Sequence, residues 1–68
     1  MGVTFKPFWL DKRITLIKKE GVIVGRYWMG DGAVLWVVEF YNPLRRVVLD
    51  KSLSNEKVQE TIKQLIGG

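Results

Sequence analysis

The sequence predicts a mainly β domain in which five antiparallel strands are followed by one C-terminal α-helix. Short segments rich in β-branched and aromatic residues alternate with Gly, Asp, Asn and Pro through the first fifty residues, as strands alternate with turns. The apolar period then changes, because Val58, Ile62, Leu65 and Ile66 recur at the spacing of one helix face. The 68 residues predict a single small domain, in which roughly 60% of the unfolded surface can be buried.

The strands and the helix follow one another without a linker. We place the strands at residues 3–9, 13–18, 22–29, 33–41 and 45–50, and the helix at residues 54–66. Pro7 assigns the first strand to an edge or a bend, because proline has no N–H to give to a sheet. Ser52 or Ser54 can cap the start of the helix, and Gly67 can end it.

Two turn signals set the pairing of the last three strands. Asp31–Gly32 supplies the positive φ angles of a two-residue hairpin loop, and Pro43–Leu44 forms the next loop. The cross-strand pairs that these loops imply include Trp28 with Leu35 and Glu39 with Val48.

Alternation along these strands then sorts the side chains onto two faces. One face is nearly uncharged, and we expect the helix to cover part of it as the core: Ile23, Tyr27, Met29, Val34, Trp36, Val38, Phe40, Val47 and Leu49. The second face carries Val22, Val24, Arg26, Trp28, Leu35, Val37, Glu39, Tyr41, Arg46 and Val48.

The second face is too apolar for ordinary contact with water, and such patches usually mark interaction surfaces. Three explanations are open. Duplex nucleic acid can lie on it, with arginines on phosphates and apolar side chains in a minor groove. A protein partner or a second copy of the chain can cover it, or the N-terminal strand can fold across it. Glu39 counts against nucleic acid unless Arg26 or Arg46 neutralises it.

The charge distribution favours a polyanionic partner. The net charge is +4, and the whole excess lies in residues 1–52, where nine basic residues face five acidic ones. In residues 53–68 the numbers of basic and acidic residues are equal.

The composition also argues against several classes of protein. The chain has no Cys and no His, which removes disulfides, the usual zinc ligands and imidazole catalysis. The acidic residues are scattered, so we expect no catalytic site, no metal and no cofactor. No apolar run approaches the ~18 residues of a membrane span, and the N-terminus does not read as a signal peptide. We therefore expect a cytoplasmic protein without a membrane partner.

The segment "RRVVLDKSLSNEKVQETIKQL" (residues 45–65) resembles the last strand, polar joint and closing helix of the small crenarchaeal chromatin proteins. The layout of strands and turns before it is similar as well. The resemblance implies a small SH3-like barrel or strongly bent sheet, closed by the helix, that binds duplex DNA through three strands. The tryptophan, the apolar wedge and the last-strand arginine of that family correspond to Trp28, to Leu35 or Val37, and to Arg46.

We therefore expect non-sequence-specific binding of duplex DNA through the second face. The alternative is a protein-interaction or homo-oligomerisation module that uses the same apolar surface. The residues expected to bind nucleic acid are Lys6, Arg26, Trp28, Leu35, Val37, Tyr41, Arg45 and Arg46.

Overall fold

The computed structural model describes residues 2–30, 32 and 34–67, and these form one sheet and one helix. The elements are β1 (Val3–Pro7), β2 (Thr15–Lys19), β3 (Val22–Met29), β4 (Leu35–Phe40), β5 (Arg45–Asp50) and α1 (Asn55–Ile66). Each strand pairs antiparallel with the next, so the order in the sheet is the order in the chain. This confirms a mainly β fold with a C-terminal helix. Because β1 and β5 are the two ends of the strand order, the described sheet is open, and the predicted barrel closure is wrong.

In the first hairpin, β1 ends earlier and β2 begins later than the sequence predicts. β1 ends at Pro7, and Trp9 beyond it is 80% exposed. The connection closes through Asp11, whose carboxylate accepts from the backbone N–H of Arg13 at 3.0 Å. Its carbonyl accepts from the N–H of Ile14 at 3.0 Å. An aspartate whose side chain bonds the backbone two residues on favours a turn. β1 therefore ends before this turn, and β2 begins after it.

A tight turn that the sequence analysis does not predict joins β2 to β3. Glu20 and Gly21 have φ angles of 53° and 82°, the sign that a type I′ loop requires at both central positions. Beyond this turn the pairing of β2 with β3 is irregular. Ile17 lies opposite Gly25 and Lys18 lies opposite Ile23, so the register skips one residue of β3. The extra residue in β3 is a bulge, and it interrupts the alternation of side chains.

The bulge reverses two predicted positions. Ile23, expected in the core, is 45% exposed, while Val24, expected on the second face, packs against the core. The sequence analysis assigns both from an uninterrupted alternation along β3, and one inserted residue is enough to exchange them.

The β3–β4 hairpin has a longer connection than the two residues predicted. Trp28 lies opposite Val37, two positions beyond the predicted partner Leu35, and the N–H of Gly30 donates to the carbonyl of Leu35 at 2.7 Å. Val34, expected in the core, therefore lies in the connection and is 59% exposed. The predicted loop residue Asp31 and the predicted strand start at residue 33 lie outside the described residues.

The β4–β5 hairpin shows the same displacement. Phe40 lies opposite Arg45, so residues 41–44 form the connection, with a cis peptide between Asn42 and Pro43. Glu39 lies opposite Arg46, two positions from the predicted Val48. A shift of two residues leaves the side chains that remain within β4 and β5 on their predicted faces, because strand side chains alternate with a period of two.

The helix begins and ends at the expected signals. The Ser54 hydroxyl accepts from the Lys57 N–H at 3.2 Å, and Gly67, at φ 69°, donates its N–H to the Lys63 carbonyl. Val58 and Ile62 are fully buried, and Ile66 packs beside them. The four residues of the predicted apolar helix face are expected to dock on the core, and for Leu65 this expectation is wrong, since its side chain is 42% exposed.

The core lies between α1 and one face of the sheet, and Tyr27 is at its centre. The Tyr27 ring contacts Phe5 and Trp36 edge-on, at centroid distances of 6.0 Å and 5.8 Å. Its hydroxyl donates to Asn55 Oδ1 at 2.7 Å and accepts from Gln59 Nε2 at 2.9 Å. These bonds orient the first half of α1 on the sheet. The buried apolar residues are Val3, Ile17, Tyr27, Val38, Phe40, Val58 and Ile62.

Candidate nucleic-acid interface

The sheet face opposite α1, here called the outer face, carries a row of paired residues that crosses all five strands. From β1 to β5 the Cα partners are Lys6, Leu16, Arg26, Glu39 and Arg46. Residues directly opposite each other on neighbouring strands share a face of the sheet. The register therefore places three basic side chains and one carboxylate in a single line across the outer face.

The last three members form what we call the Arg–Glu–Arg row. Arg26 Nε donates to Glu39 Oε1 at 3.0 Å, and Arg46 Nη2 donates to Glu39 Oε2 at 2.9 Å. The Glu39 side chain is only 9% exposed, whereas those of Arg26 and Arg46 are 38% and 62% exposed. The carboxylate thus lies beneath two guanidinium groups that face the solvent.

These bonds keep the carboxylate ionised. The hydrogen bond from Arg46, and then the one from Arg26, holds the pKa of Glu39 below its ordinary value, against the opposing effect of burial. Two guanidinium charges and one carboxylate charge give the row a net charge of about +1 at neutral pH. The acidic residue that counted against nucleic acid is neutralised from both sides.

The guanidinium groups keep hydrogen-bonding capacity for a ligand. A guanidinium has five N–H donors in a fixed planar arrangement, and each arginine gives one of them to Glu39. The remaining donors of Arg46 are the more accessible, because its side chain is the more exposed of the two. Planar N–H groups of this kind match the oxygens of a phosphate.

An apolar stripe, consisting of Trp28, Val37 and Val48, lies next to this row on the same three strands. Trp28 is the partner of Val37, which in turn is the partner of Val48. The guanidinium carbon of Arg26 lies 5.1 Å from the centre of the Trp28 ring, so the two side chains stack. Val48 is 54% exposed, and Trp28 and Val37 are half-buried. The outer face therefore combines held cations with exposed apolar surface.

The structure brings six of the eight predicted binding residues to the outer face and places two elsewhere. The six are Lys6, Arg26, Trp28, Leu35, Val37 and Arg46. Tyr41 lies in the β4–β5 connection. Arg45 is next to Arg46 on β5 and therefore points to the opposite face, where its guanidinium carbon lies 5.5 Å from the Phe40 ring centre.

The sequence analysis missed the organising role of Glu39, although the sequence contains a signal for it. Opposite charges directly across a sheet favour one register over another. Only a displacement of both hairpins by two residues places Glu39 opposite Arg26 on one side and Arg46 on the other. The register with two-residue loops leaves all three charges without such partners.

One of the three explanations for the outer face is excluded by β1. This strand pairs with β2 at the edge of the sheet, and its Val3 is buried in the core, so it does not fold across the outer face. Within residues 2–30, 32 and 34–67 no cluster of acidic side chains is arranged to hold a metal ion. No helix in the described part of the chain is long and apolar enough to cross a membrane.

Comparison of the chain with models of protein families, with curated protein sequences and with solved structures finds no match in any of the three.

Proposed function

We propose that the protein binds duplex DNA through the outer face with little sequence preference. The observation that carries the proposal is the Arg–Glu–Arg row beside the apolar stripe, on the side of the sheet that α1 leaves uncovered. The resemblance of the sequence to the small crenarchaeal chromatin proteins supports the proposal in one respect. The positions that correspond to the tryptophan, the wedge and the arginine of that family are Trp28, Leu35 or Val37, and Arg46, and all of these share one face.

In this proposal the row supplies the electrostatic contacts. Arg46 meets a phosphate, Lys6 meets the backbone further along the row, and Arg26 is held in place by Glu39 and Trp28. Side chains that are already fixed lose less conformational freedom on binding, which favours affinity. The carboxylate also cancels one positive charge, so we expect an affinity that depends on only a few phosphate contacts.

The apolar stripe supplies the second part of the interface. Trp28, Val37 and Val48 would press on the sugar edges of a minor groove, as apolar side chains do in minor-groove binders. The outer face offers few side chains that can make bidentate contacts to base edges, so selectivity should be low. The expectations of a non-enzymatic and cytoplasmic protein stay predictions.

A fluorescence anisotropy titration with a short random-sequence duplex tests the proposal. We expect a saturable signal at ~50 mM salt, and an affinity about forty-fold lower at ~200 mM if three phosphates are neutralised. Trp28→Ala should weaken binding at both salt concentrations without changing the slope, because its contribution is apolar. The absence of a saturable signal at the lower salt concentration would overturn the proposal.

The second candidate function is self-association through the same face. The observation that favours it is the exposed apolar surface of the stripe, with Val48 54% exposed on an edge strand. Sedimentation at micromolar concentration separates the two functions. A monomer that binds the duplex supports the DNA proposal. A tight dimer that Trp28→Ala or Val48→Asp dissociates would assign the face to a second copy of the chain.

A further inference from the structure

A groove lies on the other side of the molecule, between the end of α1 and the β4–β5 connection. Its volume is about 250 Å³. Phe40, Tyr41 and Pro43 form the wall from the sheet and its connection, and Leu65 and Ile66 form the wall from the helix. Tyr41 and Leu65 are 38% and 42% exposed although both are large apolar side chains. The groove thus explains why Leu65 belongs to the helix's apolar pattern without being buried in the core.

Two cations border this apolar groove. Arg45 lies along one side, its guanidinium carbon 5.5 Å from the Phe40 ring centre. Lys19 lies at the other, with Nζ donating to the carbonyl of Ile66 at 2.7 Å. In the described part of the chain no carboxylate lines the groove. Lys19 uses one of its three N–H donors on the helix end, so both cations retain donors for an anion.

The size of the groove limits what it can hold. A dry cavity of about 150 Å³ is sufficient for benzene. A groove of about 250 Å³ therefore has room for one ring with a few methylene groups. Its lining of apolar side chains and two cations fits a molecule with an apolar body and an anionic end.

We propose that this groove binds a small organic acid, whose apolar body lies between Tyr41 and Leu65 and whose carboxylate meets Arg45. The Lys19 ammonium group adds a second positive charge at the other side of the groove. The groove lies on the α1 side of the sheet, so this inference is independent of DNA binding at the outer face. It also gives Arg45, which the structure places away from Arg46, a binding role of its own.

A heteronuclear NMR titration with 4-phenylbutyrate tests the proposal on the intact chain. We expect saturable shifts centred on the amides of Tyr41, Arg45, Leu65 and Ile66, with a dissociation constant of about 1 mM for a ligand of this size. Shifts that do not saturate, or that spread over the outer face, would overturn the proposal.

The charge of the ligand and that of Arg45 provide the specific test. Arg45→Ala should weaken 4-phenylbutyrate about tenfold, because a charge-assisted hydrogen bond is lost. The neutral analogue 4-phenylbutanol should bind the parent protein about tenfold more weakly than the acid, and Arg45→Ala should leave its affinity unchanged. Equal affinity of the parent protein for acid and alcohol would overturn the assignment to a carboxylate.

Two further variants act as matched controls. Arg46→Ala removes the neighbouring guanidinium from the opposite face and should leave the affinity for 4-phenylbutyrate unchanged. Leu65→Ala removes a wall of the groove at an exposed position, so the domain should remain folded while the affinity falls several-fold. An equal loss in Arg46→Ala and Arg45→Ala would show that the acid responds only to net charge. Tighter binding of a short peptide that ends in phenylalanine would reassign the groove to a protein C-terminus.

Discussion

The two faces of the sheet are built from alternate residues of the same strands, but they contribute to different properties. The face under α1 carries fully buried side chains such as Val38, which form the core with Val58 and Ile62, and partly buried side chains that pack against them. The outer face consists of half-exposed apolar residues and a charged row in which only Glu39 is buried. We infer that the inner face determines whether the chain folds, and that the outer face is free to serve binding.

The largest effect is expected where α1 meets the inner face. Ile62→Asp places a carboxylate at a position that is 0% exposed, which should cost more than about 4 kcal/mol and unfold a domain of this size. Gln64→Asp, on the exposed side of the same helix, should cost less than about 1 kcal/mol. Thermal unfolding followed by circular dichroism measures both. A cooperative transition of Ile62→Asp near that of the parent would show that α1 does not pack as described.

A second pair of variants compares valines on the two faces. Val38→Ala removes two methyl groups from a side chain that is 0% exposed and should lower the free energy of unfolding by about 2 kcal/mol. Val48→Ala, at a side chain that is 54% exposed, should lower it by less than about 1 kcal/mol. Urea denaturation gives both values. Equal losses would mean that the outer face is covered in solution, as self-association predicts.

The pH dependence of stability measures the contribution of the charged row, because Glu39 is its acidic member. The folded pKa of Glu39 lies below its ordinary value, so the ionised form stabilises the fold at higher pH. This contribution is lost as the pH falls through the folded pKa. Glu39→Gln should therefore destabilise the protein at pH 7, and its urea midpoint should approach that of the parent towards pH 3. A difference between the two midpoints that is the same at both pH values would contradict this role of the row.

Substitution of each of the two neighbouring arginines of β5 compares the two faces of the sheet in their contribution to DNA binding. Arg46→Ala should lower the dependence of log affinity for duplex DNA on log salt by about one unit, because one phosphate contact is lost. Arg45→Ala should change this slope by much less, since Arg45 lies over Phe40 on the other side of the sheet. Anisotropy titrations at several salt concentrations measure the slopes. The same change in both variants would mean that DNA responds to the net charge and not to the outer face.

The helix could be predicted closely because its signals are local. The cap at Ser54, the stop at Gly67 and the period of Val58 and Ile62 all lie within the segment itself. The assignment of the β4 and β5 side chains to the two faces was correct although both hairpin loops are longer than expected. Displacements of two residues preserve the alternation of side chains. The length of a connection, unlike the period of a strand, depends on tertiary packing.

The missed features depend on contacts between segments. The bulge near Gly25 arises from the pairing of β2 with β3, and the isolated glycine within the strand is the only signal in this segment that indicates it. The groove depends on how the end of α1 packs against the β4–β5 connection. The separation of Arg45 from Arg46, by contrast, follows from alternation along one strand and could have been predicted from the sequence alone.

The most direct test of the central claim is to find which face of the sheet contacts DNA. A heteronuclear NMR titration of the labelled protein with a short duplex at ~50 mM salt gives this map. We expect saturable shifts at the Trp28 indole and at the amides of Arg26, Val37 and Arg46, with little change at Val58, Ile62 and Leu65. Shifts confined to α1, or no shifts at this salt concentration, would contradict the assignment of the outer face to duplex DNA.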